Sequence, residues 1–423
     1  MGDKAGGLRL DWKRTFLIGF GFLATSIAWS MYNANVPLIL DRAYGLSTLT
    51  IGVIMTFDNI FAVIFQPLFG ALSDRTITRW GRRMPYILIG LPLCAALFVL
   101  IPRMSTLFGM MGVIILFNFI MSTWRSPVIA LMPDLTPPPL RSLANGVINL
   151  MGGVGGVLAF LVGGMLVNRG GAGLAFIFGG FVMVLAWVAL FLFVREPKVL
   201  SAAEAEVVRE QEMAEERHDK RGINRSLLLI LFAILFWFVG YNAIETFFTL
   251  WAVNVLGLSE GSASITLTFF TLALVIGAVP AGIIGTRFGR RRTILAGLVG
   301  IVALFTLQGF MTSLNVVRIL LALAGFSWAL ININSLPMVV EIARSSRIGK
   351  YTGYYYFFSA SAAIIGPSLF GWIRDLTQNY STLFVFANAA FAIALGCMLF
   401  VRHGEAVTSP DGVASAARVS EAA

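Results

Sequence analysis

The sequence predicts an all-α integral membrane fold, with twelve transmembrane helices in two pseudo-symmetric six-helix bundles. Composition, the placement of basic residues and an internal repeat each point to it. Of the 423 residues, 58% are hydrophobic and 12% charged, with a mean hydropathy of +0.84. A soluble domain carries about 25% charged residues, so this chain cannot cover a water-facing surface. A bilayer crossing needs about 20 apolar residues. That window finds six spans near 15–40, 48–72, 85–102, 106–132, 142–168 and 173–194. Six more lie near 226–255, 262–285, 293–312, 316–340, 352–373 and 382–402. None alternates as a barrel strand would. The first span follows a hydrophilic start and lacks a small-residue cleavage site, so it is expected to be retained rather than removed as a signal peptide.

A net charge of +10 could suggest a nucleic-acid partner, but position decides otherwise. Threaded through the twelve spans, 25 of the 31 Lys and Arg fall on the side of the termini, five on the other side, and Arg125 within a span. The positive-inside rule then makes both termini cytoplasmic. A multi-pass protein of the cell membrane, a bacterial inner membrane, is expected, with lipid and not nucleic acid around it. The divisions are an N-terminal bundle (1–194), a charged Ala/Glu-rich cytoplasmic linker (195–225), a C-terminal bundle (226–402) and a disordered Ser/Ala/Gly-rich tail (403–423). Cys94 and Cys397 sit in apolar runs and read as packing residues rather than a disulfide. The two histidines, His218 and His403, lie in polar segments. No metal site, cofactor or nucleophile–base set is expected in the membrane, and an enzyme is the least favoured class.

The two halves repeat. Gly45-Leu46-Ser47 recurs as Gly257-Leu258-Ser259, and without a gap Thr56-Phe57, Val63-Ile64, Gly70 and Arg75 match Thr268-Phe269, Val275-Ile276, Gly282 and Arg287. Tyr32-Asn33-Ala34 likewise reappears as Tyr241-Asn242-Ala243. Two parallel six-helix copies with a polar middle segment are the architecture of rocker-type secondary transporters, whose substrate sits near the midplane between the halves.

The loop after the second span reads Gly70-Ala71-Leu72-Ser73-Asp74-Arg75, then Trp80-Gly81-Arg82-Arg83; its copy runs Gly282 to Arg291 with Thr286 in place of the acid. This resembles the signature loop of the major facilitator superfamily. Asp74 can pair with arginines across the halves and hold the inner gate shut, with Gly70, Arg75, Gly81, Arg82 and Arg83 around it. Asp134, Arg141, Glu341 and Arg347 would form a second set of latches. All of these are alternatively only stop-transfer charges. The run Thr78-Arg79-Trp80-Gly81-Arg82-Arg83-Met84-Pro85 is similar to the glycoside–pentoside–hexuronide:cation symporters. Pro127 to Leu135, followed by Ala144-Asn145, resembles the sucrose carriers. That resemblance implies cation-coupled uptake of a neutral sugar, often a disaccharide such as sucrose or maltose.

Two departures matter. The cation-binding acids of melibiose-type members align with Gln66, Ala62 and Arg125, and an arginine repels a metal cation. The acid and arginine of the sucrose carriers align with Asn118 and Ile129. Protons are therefore the expected coupling ion. Acids within hydrocarbon are costly and usually functional, and two remain: Asp58 and Glu245. Neither has an acid at its repeat position (Phe270 and Val36), so the shared fold does not require them. At about 1.5 Å per residue, Asp58 lies about 18 Å above Gly70 and Arg125 about 14 Å above Asp134. An Asp58–Arg125 contact is then feasible, with Asp58 as proton carrier and Arg125 as its switchable partner, or else a permanent structural pair. Glu245 reads as an acceptor for substrate hydroxyls or as the carrier itself.

Amides and aromatic faces suit a sugar. The candidates are Tyr32, Asn33, Asn35, Asn118, Tyr241, Asn242, Trp328, Asn332, Asn334 and Tyr355, with Glu245. Interhelical hydrogen bonding is the alternative for each asparagine. Trp29, Trp187, Trp237 and Trp372 read as core or interface anchors. Gly152 to Gly164 mark the fifth span as a close-packing helix without the Gly-Pro element of drug antiporters; the sole Gly-Pro is Gly366-Pro367. The expectation is a proton-coupled symporter, acting as a monomer. A proton-driven exporter of amphipathic compounds is the rival, and a non-transporting sensor the reading from another class.

Overall fold

The computed structural model describes residues 10–136, 140–196, 225–342 and 348–401, so most of the expected linker, the tail and Arg347 lie outside the described residues. The first half comprises α1 (Trp12–Tyr44), α2 (Thr48–Met55), α3 (Phe57–Arg75), α4 (Met84–Leu100), α5 (Leu107–Leu135), α6 (Arg141–Leu158) and α7 (Gly164–Phe193). The second comprises α8 (Arg225–Leu256), α9 (Glu260–Phe288), α10 (Arg290–Gln308), α11 (Leu314–Ile342), α12 (Ile348–Thr377) and α13 (Thr382–Leu399). Among the described residues, eleven helical stretches are long and apolar enough to cross a membrane. One of them, 143–193, turns back on itself where Gly170 and Gly171 leave helical geometry. Gly171 has φ 75°, a left-handed value that side chains resist. That stretch makes two crossings, which gives the twelve predicted.

The repeated Gly-Leu-Ser has a mechanical meaning. Gly45 (φ 62°) and Gly257 (φ 65°) cap α1 and α8 in the left-handed conformation. Leu46 and Leu258 donate back to the carbonyls of Leu40 and Ala252 at 3.2 and 3.3 Å. Ser47 and Ser259 then accept the N–H of Thr50 (3.2 Å) and Ser262 (3.3 Å) as N-caps of α2 and α9. Each tripeptide therefore ends one crossing and starts the next.

The second span departs from a continuous helix. Thr56 separates α2 from α3: its hydroxyl donates to the Val53 carbonyl at 2.7 Å and its N–H takes the same acceptor at 3.1 Å. Threonine, aspartate and asparagine offer the backbone such alternatives to the helical ladder, and Thr56-Phe57-Asp58-Asn59 places three of them together.

The halves meet closely at the end remote from the termini. The α2 N-terminus is capped from the opposite half, where Asp375 of α12 accepts from the N–H groups of Thr48 (3.0 Å) and Leu49 (2.8 Å). Backbones touch around that cap: a side chain at Gly52 would strike the Pro367 carbonyl, and one at Gly371 the Thr48 carbonyl. On the other flank, Gly164 and Gly261 approach as closely. There Ser259 donates to Asn168 at 2.8 Å, and Arg42 pairs with Glu260 at 2.7 Å.

These contacts differ in worth. A helix cap contributes about 1 kcal/mol, whereas an exposed ion pair contributes between about 0 and 1 kcal/mol; the Arg42 side chain is 50% exposed. Asp375→Ala should therefore raise the population open at this end about fivefold or more, and Arg42→Ala should change it less. The check is labelling by a membrane-impermeant maleimide at Ala363→Cys, in a background lacking Cys94 and Cys397.

Candidate functional site

Asp58 stands in the first turn of α3, directly after the break at Thr56. Its Oδ1 accepts both the N–H and the side-chain amide of Asn59, each at 2.7 Å. Across from it, α5 carries Arg125 and α8 carries Glu245. Together they line a cavity of about 210 Å³ between the halves, with Trp29, Asn33, Met55, Asn59, Asn242, Thr246, Ala363 and Pro367. Asn33 of the first half faces the Glu245 carboxylate of the second. Seven of the eleven lining side chains are polar or charged, at the depth of otherwise apolar helices.

The expected Asp58–Arg125 contact is not made. The two are electrostatic neighbours on one cavity, but no nitrogen–oxygen approach of 4.0 Å or less joins them. The Arg125 guanidinium instead lies over the Trp29 ring, 5.7 Å from its centroid, within cation–π range. Trp29, read from the sequence as an anchor, is thus part of the site.

Of the expected sugar-binding set, Asn33, Asn242 and Glu245 line the cavity; the others do not. Tyr32 is fully buried and stacked on Phe117 at 5.9 Å. Asn35 spends its amide on the Met31 carbonyl of its own helix (2.9 Å), and Asn118 is buried in the first half. Tyr241 and Trp328 stack on each other at 4.4 Å with planes 3° apart. Asn334 joins helices, donating to Ala281 (3.1 Å) and Leu330 (3.0 Å), and Gly285 makes room for it. Tyr355 pairs with Ser335 at 3.1 Å, and Ser335 donates to the Asn332 carbonyl at 2.8 Å. Interhelical bonding is the role this structure gives to Asn334 and Tyr355, while Asn35 bonds within its own helix and Tyr241 packs against Trp328. Periodicity marks such residues as intramembrane and polar, but their direction is set by packing.

In this structure the loop charges are paired within one half. Asp74 pairs with Arg83 of its own half, not across the halves. Arg83 further bonds Ser73, donates to the Gly70 carbonyl at 3.2 Å and pairs with Asp134 at 2.9 Å. Arg82 pairs with Asp134 at 2.7 Å; Arg75 is exposed. Arg141 begins α6 and Glu341 lies near the end of α11.

The cluster has a member the sequence did not reveal. Glu196 accepts the N–H groups of Arg83 (2.8 Å) and Met84 (3.3 Å), capping α4, and lies against Gly81, where any side chain would collide with it. It stands 113 residues from Arg83, so no spacing announces it. Asn59 and Thr246 were also missed; their one signal is adjacency to Asp58 and Glu245.

This fold and interface cavity define a secondary transporter, and the chain belongs to the Major Facilitator Superfamily: residues 18–367 match its family model, and 253–421 match it again. It is a membrane transporter, not an enzyme. The hexuronate transporter of Bacillus subtilis (strain 168) is 25% identical over 91% of this chain and 94% of its own length. The fosmidomycin resistance protein of Escherichia coli (strain K12) is 24% identical over 90% of each. A crystal structure of the nucleoside transporter NupG matches the fold with a TM-score of 0.66, at 14% identity over 93% of this chain and all of that one.

The two asparagine roles separate experimentally. Asn334→Ala should lower the melting temperature, by about 1–3 kcal/mol of lost hydrogen bonding, and leave the substrate KM within about twofold. Asn242→Ala should do the reverse, a contrast read by thermal melts beside uptake kinetics.

Proposed function

We propose that this chain is a proton-coupled sugar symporter of the glycoside–pentoside–hexuronide type, with Asp58 as the proton carrier. The observation that supports it is the cavity: it is lined by one carboxylate from each half, together with amides and the Trp29 indole. Carboxylates held within hydrocarbon are the usual proton relays of transporters. Amide groups and an aromatic ring are what hydroxyls and the C–H face of a sugar require. Glu245, opposite Asn33, serves as hydroxyl acceptor. We assign the end bearing the termini to the cytoplasm on the basic residues, so the closure at α2–α12 is an inward-facing state. In this state the cavity is smaller than the 300–1,000 Å³ of pockets for drug-sized ligands, which favours one sugar ring over the disaccharide expected from the resemblance. One chain holds the whole cavity, in keeping with a monomer.

The Bacillus relative is named for a hexuronate, which favours sugar uptake; the Escherichia relative is named for drug resistance, which favours export. The polar lining of the cavity argues for the sugar.

The test is lumenal acidification of liposomes containing the purified protein when mono- or disaccharides are added. Wild type should acidify with a substrate sugar. Asp58→Asn should lose acidification while still exchanging labelled sugar across the membrane. Retained acidification in Asp58→Asn would move the carrier to Glu245, and acidification by no sugar would favour the exporter.

A further inference from the structure

Arg125 is the cavity's one cation among the lining residues, and the protein gives it no anion. No carboxylate oxygen of the described residues lies within 4.0 Å of it, and its Nε is buried without a hydrogen-bond partner. The nearby acids are otherwise engaged. Asp58 is held by both nitrogens of Asn59 at 2.7 Å, and Glu245 faces Asn33. A guanidinium held among membrane-spanning helices without an anion is costly, and its planar fork fits a carboxylate through two parallel hydrogen bonds. Trp29 fixes the group from one side at 5.7 Å and leaves the cavity side open.

We propose that Arg125 is the receptor for a carboxylate carried by the substrate, so that the transported sugar is a sugar acid. Across the cavity on α8, the Asn242 side-chain oxygen and Thr246 reach its hydroxyls. The proposal deepens the symport reading and rests on it for flux, though not for binding. It also supplies a coupling rule. Asp58 faces Arg125 and Glu245, with the Tyr32 hydroxyl behind it. Once a substrate carboxylate takes the charge of Arg125, Asp58 loses its cation and accepts a proton. One anion and one proton enter together, and the net charge of the site does not change.

The test is calorimetric titration of the full chain in nanodiscs, at mildly acidic pH, with D-glucuronate, its uncharged amide and D-glucose. Wild type should bind glucuronate about 30-fold more tightly than the amide, the worth of a charge-assisted hydrogen-bond pair. Arg125→Gln should bring the two within about threefold, with Arg125→Lys between them. Melting curves establish that each variant is folded. Equal binding of acid and amide by wild type, equal weakening of both by Arg125→Gln, or binding of neither would overturn the proposal. In liposomes, glucuronate should acidify the lumen without generating a current. A binding preference without acidification would keep the carboxylate receptor and remove proton coupling. Acidification by glucose but not glucuronate would keep symport and remove the receptor.

Discussion

An ionised Arg or Asp at the centre of a bilayer costs about 2.5–3.5 kcal/mol even on the more lenient insertion scales. This chain places Asp58, Arg125 and Glu245 at that depth, each on a different helix. The cost is reduced by bringing them to one cavity, where polar neighbours replace lipid. The helices that carry them are mostly apolar over their middle turns. The break at Thr56 serves the same end: it places Asp58 in the first turn of α3, where N–H groups point toward an acid. At that depth these three charges are gathered at the interface between the halves, which is also the surface that alternating access must expose.

The two ends of that interface are built from different materials. At the end remote from the termini, closure comes from backbone against backbone at Gly52, Gly164, Gly261 and Gly371, with Asp375 capping α2 across the gap. Such a contact is short-ranged and either made or lost, as a gate requires. At the other end the charges of the signature loop are kept within one half: Arg82, Arg83, Asp74, Asp134 and Glu196 bind one another. That cluster ties α3, α4, α5 and the end of α7 into a unit able to rock as a body. Arg83 is almost fully buried yet meets Asp74, Asp134, Ser73 and a backbone carbonyl, so removing any one partner leaves a buried charge less satisfied.

Twelve crossings, the repeat and the depth of the three ionisable groups were legible in the sequence, because each follows from local composition. Lipid demands about 20 apolar residues per crossing, and a duplicated unit leaves matching caps such as Gly45-Leu46-Ser47 and Gly257-Leu258-Ser259. That Asp58, Arg125 and Glu245 are intramembrane needs only counting along helices. What they touch does not follow from counting. Rotation of a helix about its axis decides whether a polar side chain meets the cavity or a neighbouring helix, and tertiary packing sets that rotation. Asn33 and Asn334 carry the same amide in similar surroundings of sequence; one faces Glu245 across the halves, the other ties α11 to α9. Depth alone put Asp58 beside Arg125, while the fold turned the carboxylate to Asn59 and the guanidinium to Trp29. Glu196 reached the signature loop only because the chain returns there after 113 residues. The bilayer wrote the helices into the sequence one residue type at a time, and the direction of each polar group waited on packing between segments far apart in the chain.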